Sequence, residues 1–368
     1  MKKVLILGVA SVQADAIKLL KEYGYEVYAC AKDNIGEGIK FVDEFRVIDI
    51  LDREKLAKYI LEKKIDIVYS VGSDLAMPVV GYLNKKLGLK GFISEEVANI
   101  CNNKNLMREK LGKNFIGNVK SQVLSDSNET LEVDYPFIMK PTDSQGQRGV
   151  KLIKSKKEFL ESFNVCKNYS RSGLVIIEEY IDGPEISVNG YIVDGNLKYI
   201  TISDRETWKE YTGLIHKHIV PSNFISGEIE NEIKRIVEEA SSLIGIDNGP
   251  IYLQMKINKN GAYIIEITPR LDGCHMWRLL KEHSGINLLK LTFEHLLNSD
   301  VSELDNIDLN ENKSEKILEF ICQKPNTLAR YDEKNIKKDI IEKRYYYQEG
   351  ELIKPVNGIY DKIGYIIY

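Results

Sequence analysis

Short apolar runs that alternate with helix-period segments are what most constrain the start of this chain. Val4 to Leu7 is an apolar run that ends at Gly8, and Ala14, Ile17, Leu20 and Tyr23 then recur at helical spacing until Gly24 closes the segment. The pattern repeats, with a strand expected over Glu26 to Cys30, a helix around Leu56 to Ile60, a strand over Asp66 to Ser70 and a helix over Met77 to Leu87. Alternating strand and helix imply a parallel sheet covered by helices. After about residue 115 the character becomes α+β. Pro136 to Lys140, Gly149 to Ile153, Leu174 to Glu179 and Glu185 to Ile192 read as strands among polar turns. An amphipathic helix over Glu228 to Ile244 closes at Gly245, and the strands Ile251 to Ile257 and Ala262 to Thr268 flank a turn with Asn260-Gly261. Lys316 to Cys322 and Gly358 to Tyr368 suit a small terminal β subdomain.

Composition removes several classes. With 43 % apolar and 29 % charged residues, the 368-residue chain has the make-up of an ordinary globular protein of two or three domains. A net charge of -4 argues against a nucleic-acid protein held by a basic field and leaves small molecules as the expected partners. No apolar run approaches the roughly 18 residues of a membrane span, and Met1-Lys2-Lys3 with the run that follows reads as a first strand, not a signal peptide. The five cysteines are scattered, without a CxxC pair or zinc-site spacing, which suits a reduced cytoplasm.

Four segments are candidates to carry chemistry. Gly8-Val9-Ala10-Ser11-Val12-Gln13 sits where a dinucleotide fingerprint would sit but lacks its second and third glycines, and no ribose-binding acid follows Val27, so an NAD-dependent oxidoreductase is disfavoured. The polar loop from Lys140 to Val150 lies between two strands and lacks the Walker pattern; it suits a hairpin that covers phosphates from above, or a plain solvated tip. In Glu178-Glu179-Tyr180-Ile181-Asp182-Gly183-Pro184-Glu185, an apolar strand runs into carboxylates that could hold an adenine amino group and ribose hydroxyls. In the last strand pair a three-residue turn over 259 to 261 would set Asn258 opposite Ala262 and Gln254 opposite Glu266, with Thr268 on the same face. An oxygen-only cluster of this kind suits magnesium on phosphate oxygens, and the isoleucines around Glu266 indicate a largely buried sheet.

The order and spacing of these segments resemble the ATP-grasp superfamily over roughly residues 1 to 300, in particular its carboxylate-amine ligases, related to biotin carboxylase and carbamoyl-phosphate synthetase. The resemblance implies an α/β and α+β chain: a parallel-sheet pre-ATP-grasp domain over 1–95, a small lid domain over 96–182, a large domain over 183–300 and the C-terminal β subdomain over 301–368. It implies Lys104 and Lys140 as phosphate lysines, Gly146, Gln147, Arg148 and Gly149 as the mobile phosphate loop, Glu178 as the adenine-contacting acid, Glu179, Tyr180 and Ile181 as the hinge, and Glu185 as the ribose acid. Gln254 and Glu266 match the magnesium pair and Arg270 the catalytic arginine, with Lys140 also counted as catalytic. Thr268 stands where the family commonly has Asn, and Asp272-Gly273-Cys274-His275 replaces the common glycine-rich continuation.

The implied cofactors are ATP and Mg2+, with Mn2+ as a substitute, and the implied partners are a small carboxylate and an amine, with no nucleic acid or membrane; family members are often homodimers. The expected chemistry is an acyl phosphate formed from the acid and ATP, then displacement of phosphate by the amine to give an amide or peptide-type bond, with release of ADP. Arg205, His216, His218, His275 and Arg278 are the substrate-side candidates, with Ser222 beside the histidines. A bicarbonate-phosphorylating carboxylase or carbamoyl-phosphate-synthetase-like enzyme and a non-catalytic nucleotide-binding module are the competing readings.

Overall fold

A computed structural model of the chain describes residues 2–144, 148–209, 214–306, 314–331, 339–355 and 360–368. The strands β1 (Lys3–Leu7), β2 (Glu26–Ala31), β3 (Glu44–Val47) and β4 (Ile67–Tyr69) form a parallel sheet in the order β3-β2-β1-β4. The helices α1 (Ser11–Glu22), α2 (Arg53–Lys63) and α3 (Met77–Leu87) connect and cover it. Strands β1, β2 and β4 are almost wholly buried, as both-face coverage requires, and read as apolar runs, while the edge strand β3 is only partly covered.

Two short helices, α4 (Glu95–Asn102) and α5 (Lys104–Leu111), lead to a four-stranded antiparallel sheet of β5 (Ser121–Leu124), β6 (Phe137–Pro141), β7 (Lys151–Ile153) and β8 (Val175–Glu179), ordered β5-β8-β6-β7. Helix α6 (Lys156–Lys167) packs Phe159 against Phe137 of this sheet, with Phe163 edge-on to Phe159.

The largest sheet has eight strands: β9 (Glu185–Val193), β10 (Asn196–Thr207), β11 (Ile215–Val220), β12 (Gly249–Asn258), β13 (Gly261–Thr268), β14 (Lys316–Gln323), β15 (Glu342–Tyr345) and β16 (Asp361–Ile367). Their order is β13-β12-β9-β10-β11-β14-β16-β15, so the strands of the terminal segment are hydrogen-bonded into the same sheet as those before residue 268. Helix α7 (Gly227–Ile244) lays Ile233, Ile236, Val237, Ala240 and Ile244 on the core, with Gly245 in the left-handed conformation that ends it; Leu243, expected in the same stripe, is exposed. Helices α8 (Met276–Ser284) and α9 (Leu288–Asn298) return toward the first sheet, where Phe293 meets Tyr69 edge-on at 5.8 Å. One apolar cluster runs from β1 through α9 to β14 and β16. All five cysteines are buried and unpaired, and among the described residues no helix is long and apolar enough to cross a membrane.

The turn between β12 and β13 differs from expectation. Asn258 pairs with Gly261, not with Ala262, so the turn contains two residues. A bulge after Gln254, which leaves Ile265 unpaired, adds the residue that the shorter turn removes. Gln254 therefore still faces Glu266, through two compensating irregularities.

Helix α3 crosses the start of α4 so closely that a side chain at Gly81 would place its Cβ 2.5 Å from the Glu95 nitrogen and 2.6 Å from the Ser94 carbonyl carbon. Gly81→Ala should therefore lower the urea midpoint, because overpacking against rigid backbone costs about 1–3 kcal/mol and outweighs the roughly 1 kcal/mol of helix propensity gained. A raised midpoint would mean that the start of α4 yields freely.

Candidate active site

A row of polar side chains crosses one face of the large sheet. Gln254 pairs with Glu266 on one side and with Ser187 on the other, while Tyr252 pairs with Thr268. Ser187 in turn faces Ser203 on β10, and Arg205, two residues on, faces His218 on β11. The Gln254 amide donates to Glu185 Oε2 at 2.9 Å, and Arg205 makes a close ion pair with the same oxygen. Ribose candidate, metal candidate and substrate candidate are thus in one chain of contacts.

The second wall comes from the small sheet and α5. Lys104 stands at the first turn of α5, where its backbone N–H donates to the Thr142 carbonyl and its ammonium to the Ser144 carbonyl at 3.1 Å. The same ammonium lies 3.5 Å from Glu266. Lys140 is 2.5 Å from Glu178 Oε2, and Arg108 donates to Glu178 Oε1 at 3.0 Å. Burial would raise the Glu178 carboxyl, yet the charges of Arg108 and Lys140 hold it down at about 2. Burial, with Lys104 and Arg108 nearby, pulls the Lys140 ammonium down, but Glu178 at 2.5 Å keeps the pair charged, since neutralising either partner strands the other. Both oxygens of the expected adenine acid are therefore taken by cations, one of them the expected phosphate lysine, Lys140.

Arg270 is held from the N-terminal domain. Its Nε and Nη2 donate to the two oxygens of Asp74, each at 2.6 Å, and Nη1 donates to the Leu271 carbonyl at 2.7 Å. This approach depends on two glycines: a Cβ on Gly72, whose φ of +68° already favours glycine, would lie 2.9 Å from Gly273 Cα. Asp74, Asn102, Lys104, Glu266 and Thr268 line one small cleft. Glu266 opens onto it with 46 % of its side chain exposed and is enclosed elsewhere. Its surroundings oppose ionisation, but Lys104, Lys140, Arg205 and Arg270 together hold its carboxyl below the usual value. The buried Thr268 Oγ1 has no hydrogen-bond partner. An ionised carboxylate, an amide across from it and an orphaned hydroxyl form an oxygen donor set that fits magnesium.

The remaining candidates fall in different places. Lys256 fastens the expected hinge, donating to the Ile181 carbonyl at 3.0 Å with its ammonium over the Tyr180 ring, and the Glu179 N–H donates to the Lys120 carbonyl. Arg148 and Gly149 lie in the turn before β7, while Gly146 and Gln147 lie outside the described residues. His216 stacks on Trp208 at 3.8 Å and meets Glu319; Ser222 donates to Asp204. His275 and Arg278 are not in the polar row: both bind Asp15 of α1, at 2.8 and 2.9 Å, and Arg278 also binds Glu342. Asp74 and Arg108 were not anticipated from sequence. Arg108 follows Lys104 by one helical turn, and Asp74 sits in the loop after a parallel strand, where sites of such sheets gather; both were signals.

Residues 133–277 match the family model described as an ATP-grasp domain. The chain is 28 % identical over 239 residues to an alanine–anticapsin ligase of Bacillus amyloliquefaciens, covering 58 % of this chain and 50 % of that one. It is 22 % identical over 313 residues to a dapdiamide A synthase of Enterobacter agglomerans, covering 80 % and 73 %. An L-amino acid ligase structure from Bacillus licheniformis superposes over 100 % of this chain and 93 % of its own with a TM-score of 0.83, at 19 % identity. The matched stretch of this chain spans about half the length of the anticapsin ligases. The chain therefore carries an ATP-grasp domain over residues 133–277, within the overall fold seen in the L-amino acid ligase.

Proposed function

We propose that this protein is an ATP-dependent carboxylate-amine ligase that works on an amino acid or another small carboxylate through an acyl phosphate. The observation that carries the reading is the meeting of Lys104, Lys140 and Arg270, from three parts of the chain, around the Gln254–Glu266–Thr268 face. The names of the relatives, an alanine–anticapsin ligase and a dapdiamide A synthase, support the substrate class.

In this reading a carboxylate oxygen of the acid attacks the γ-phosphorus of ATP and ADP leaves. The amine nitrogen then attacks the acyl carbon, phosphate leaves with the C–O bond electrons, and the nitrogen gives up its proton. Phosphoryl transfer of this kind needs positioning and neutralisation of charge more than a protein nucleophile. Lys140, kept charged by Glu178, and Lys104, fixed by the Ser144 carbonyl, bind the phosphates. Arg270, oriented by Asp74, faces the charge that develops on the transferred group. Gln254, Glu266 and Thr268 are the residues that would hold magnesium, which supplies charge neutralisation at the triphosphate when bound.

ADP release assayed against pools of amino acids and amines should require one acid and one amine together, and Glu266→Ala should lower it by about 100-fold or more. AMP release in place of ADP would refute the acyl phosphate. Asp74→Asn should reduce kcat about 10- to 100-fold with little change in the KM for ATP, and Asp74→Glu should recover part of that; an equal loss in both variants would make Asp74 purely structural. Glu178 adds an acid-side dependence of stability. Its folded carboxyl titrates at about 2 against an ordinary 4.5, so its contribution is complete above pH 4.5 and is lost as pH falls toward 2. That contribution is roughly 3 kcal/mol, and the urea midpoint of Glu178→Gln should be lower at neutral pH and flatter across this window than that of the parent.

A further inference from the structure

Beyond the magnesium face, the polar row ends in a buried cluster that the reaction steps given above do not employ. His218, Asp272 and Cys274 come from β11 and from the segment after Arg270, and their imidazole nitrogen, carboxylate oxygen and Sγ lie within 4.8 Å of one another. His218 is fully buried, Asp272 is 5 % exposed and Cys274 is 9 % exposed. Both ring nitrogens of His218 and Oδ2 of Asp272 lack any hydrogen-bond partner, although Asp272 Oδ1 accepts from the Cys274 N–H at 3.1 Å. Leaving three buried polar atoms unmatched in one place is costly, and their spacing admits an ion or a water molecule but no organic group.

We propose that His218, Asp272 and Cys274 bind a divalent transition ion of the zinc class, with one coordination position left open. Imidazole nitrogen, thiolate and carboxylate are the donors such ions take, and three protein ligands plus one open position is a common zinc arrangement. The magnesium face, by contrast, offers oxygen alone. Burial holds the His218 imidazole in its neutral form, with a lone pair available to a metal. Cys274 loses its thiol proton to solvent on binding, and thiolate and carboxylate together cancel the charge of the ion. The cations that face the cluster are accounted for: Arg205 is paired with Glu185 and Arg270 with Asp74, while burial pushes the Cys274 thiol up to about 11 and Lys362, 3.6 Å from its Sγ, offsets this only in part, so that an ion is what would draw off the proton. The ion ties β11 to the residues that follow Arg270 and so fixes the stretch that carries the catalytic arginine.

The full chain, stripped with a chelator, is titrated with Co2+ and followed by absorption. The expected result is one equivalent bound with a thiolate-to-cobalt charge-transfer band and the visible bands of a tetrahedral ion. The band should vanish in Cys274→Ser, weaken about 10-fold or more in apparent affinity in His218→Gln, and persist in Glu266→Ala, which separates this site from the magnesium face. X-ray absorption of the zinc-loaded parent protein gives a second reading that needs no variant, and should show one sulfur ligand beside nitrogen and oxygen. Absence of the band up to millimolar Co2+, as a buried water at the cluster would give, overturns the proposal. So does a band that survives in Cys274→Ser, or a zinc shell without sulfur.

Discussion

Asp15, in the first turn and a half of α1, holds three distant segments of the chain together. It is 1 % exposed and accepts from His275 and Arg278, which flank the start of α8, and from Arg344 on β15. Burial would raise its carboxyl, but the bonds from His275 and Arg278 keep it well below its usual value, so it stays an anion. A buried carboxylate with three donors is stable only while all three are in place, because removal of one leaves charge uncompensated. Arg344 also reaches Glu37, and Arg278 reaches Glu342, which itself accepts from Tyr365. The first helix, the start of α8 and the last strands are therefore fixed to one another by charge. That fixation sets where residues 270–275 lie, and hence where Arg270 meets Asp74.

The same device appears at each wall of the site. Arg270 is compensated by Asp74, Lys140 and Arg108 by Glu178, and Arg205 by Glu185. In each case the partners come from different strands, helices or domains. The polar groups cannot all be satisfied locally, so the site exists only once the three sheets are assembled. Relative placement of the sheets is thereby tied to the charge pattern of the cleft.

This explains which features were legible in the sequence. Local patterns gave the βα alternation of residues 4–87, the amphipathic α7 and the strands around residue 260, because periodicity and turn residues act within a few positions. The Gln254–Glu266 pair was inferred from an assumed three-residue turn; the actual turn has two residues, and the bulge after Gln254 restores the register. Neither irregularity has a signature in Lys259-Asn260 or Ile265 that would betray the other. The pairings of Asp74, Asp15 and Arg344 are not legible in the sequence, since their partners are 196, 260 and 329 residues away along the chain. His275 and Arg278 read as substrate groups for the same reason: a histidine and an arginine just beyond β13 give no hint that an aspartate in the first helix already holds them.

Glu178 shows how far a motif can fix a residue without fixing its task. As the first acid of a strand-to-hinge segment it suggests an adenine contact, and an exposed acid there could serve as one. At 3 % exposure an ionised carboxylate needs cations, and Lys140 on β6 and Arg108 on α5 are the two that reach it. With both oxygens committed, what the proposed reading leaves for a base is backbone from Glu179 to Ile181, held in place by Lys256 on the Ile181 carbonyl and over the ring of Tyr180. In the proposed reading charge is thus spent on the phosphate end, where ATP is charged, and the base end is left to hydrogen-bonding backbone and apolar surface. That division follows from solvation alone, because a buried ion must be matched by an ion, whereas a neutral base needs only shape and a few well-placed amides.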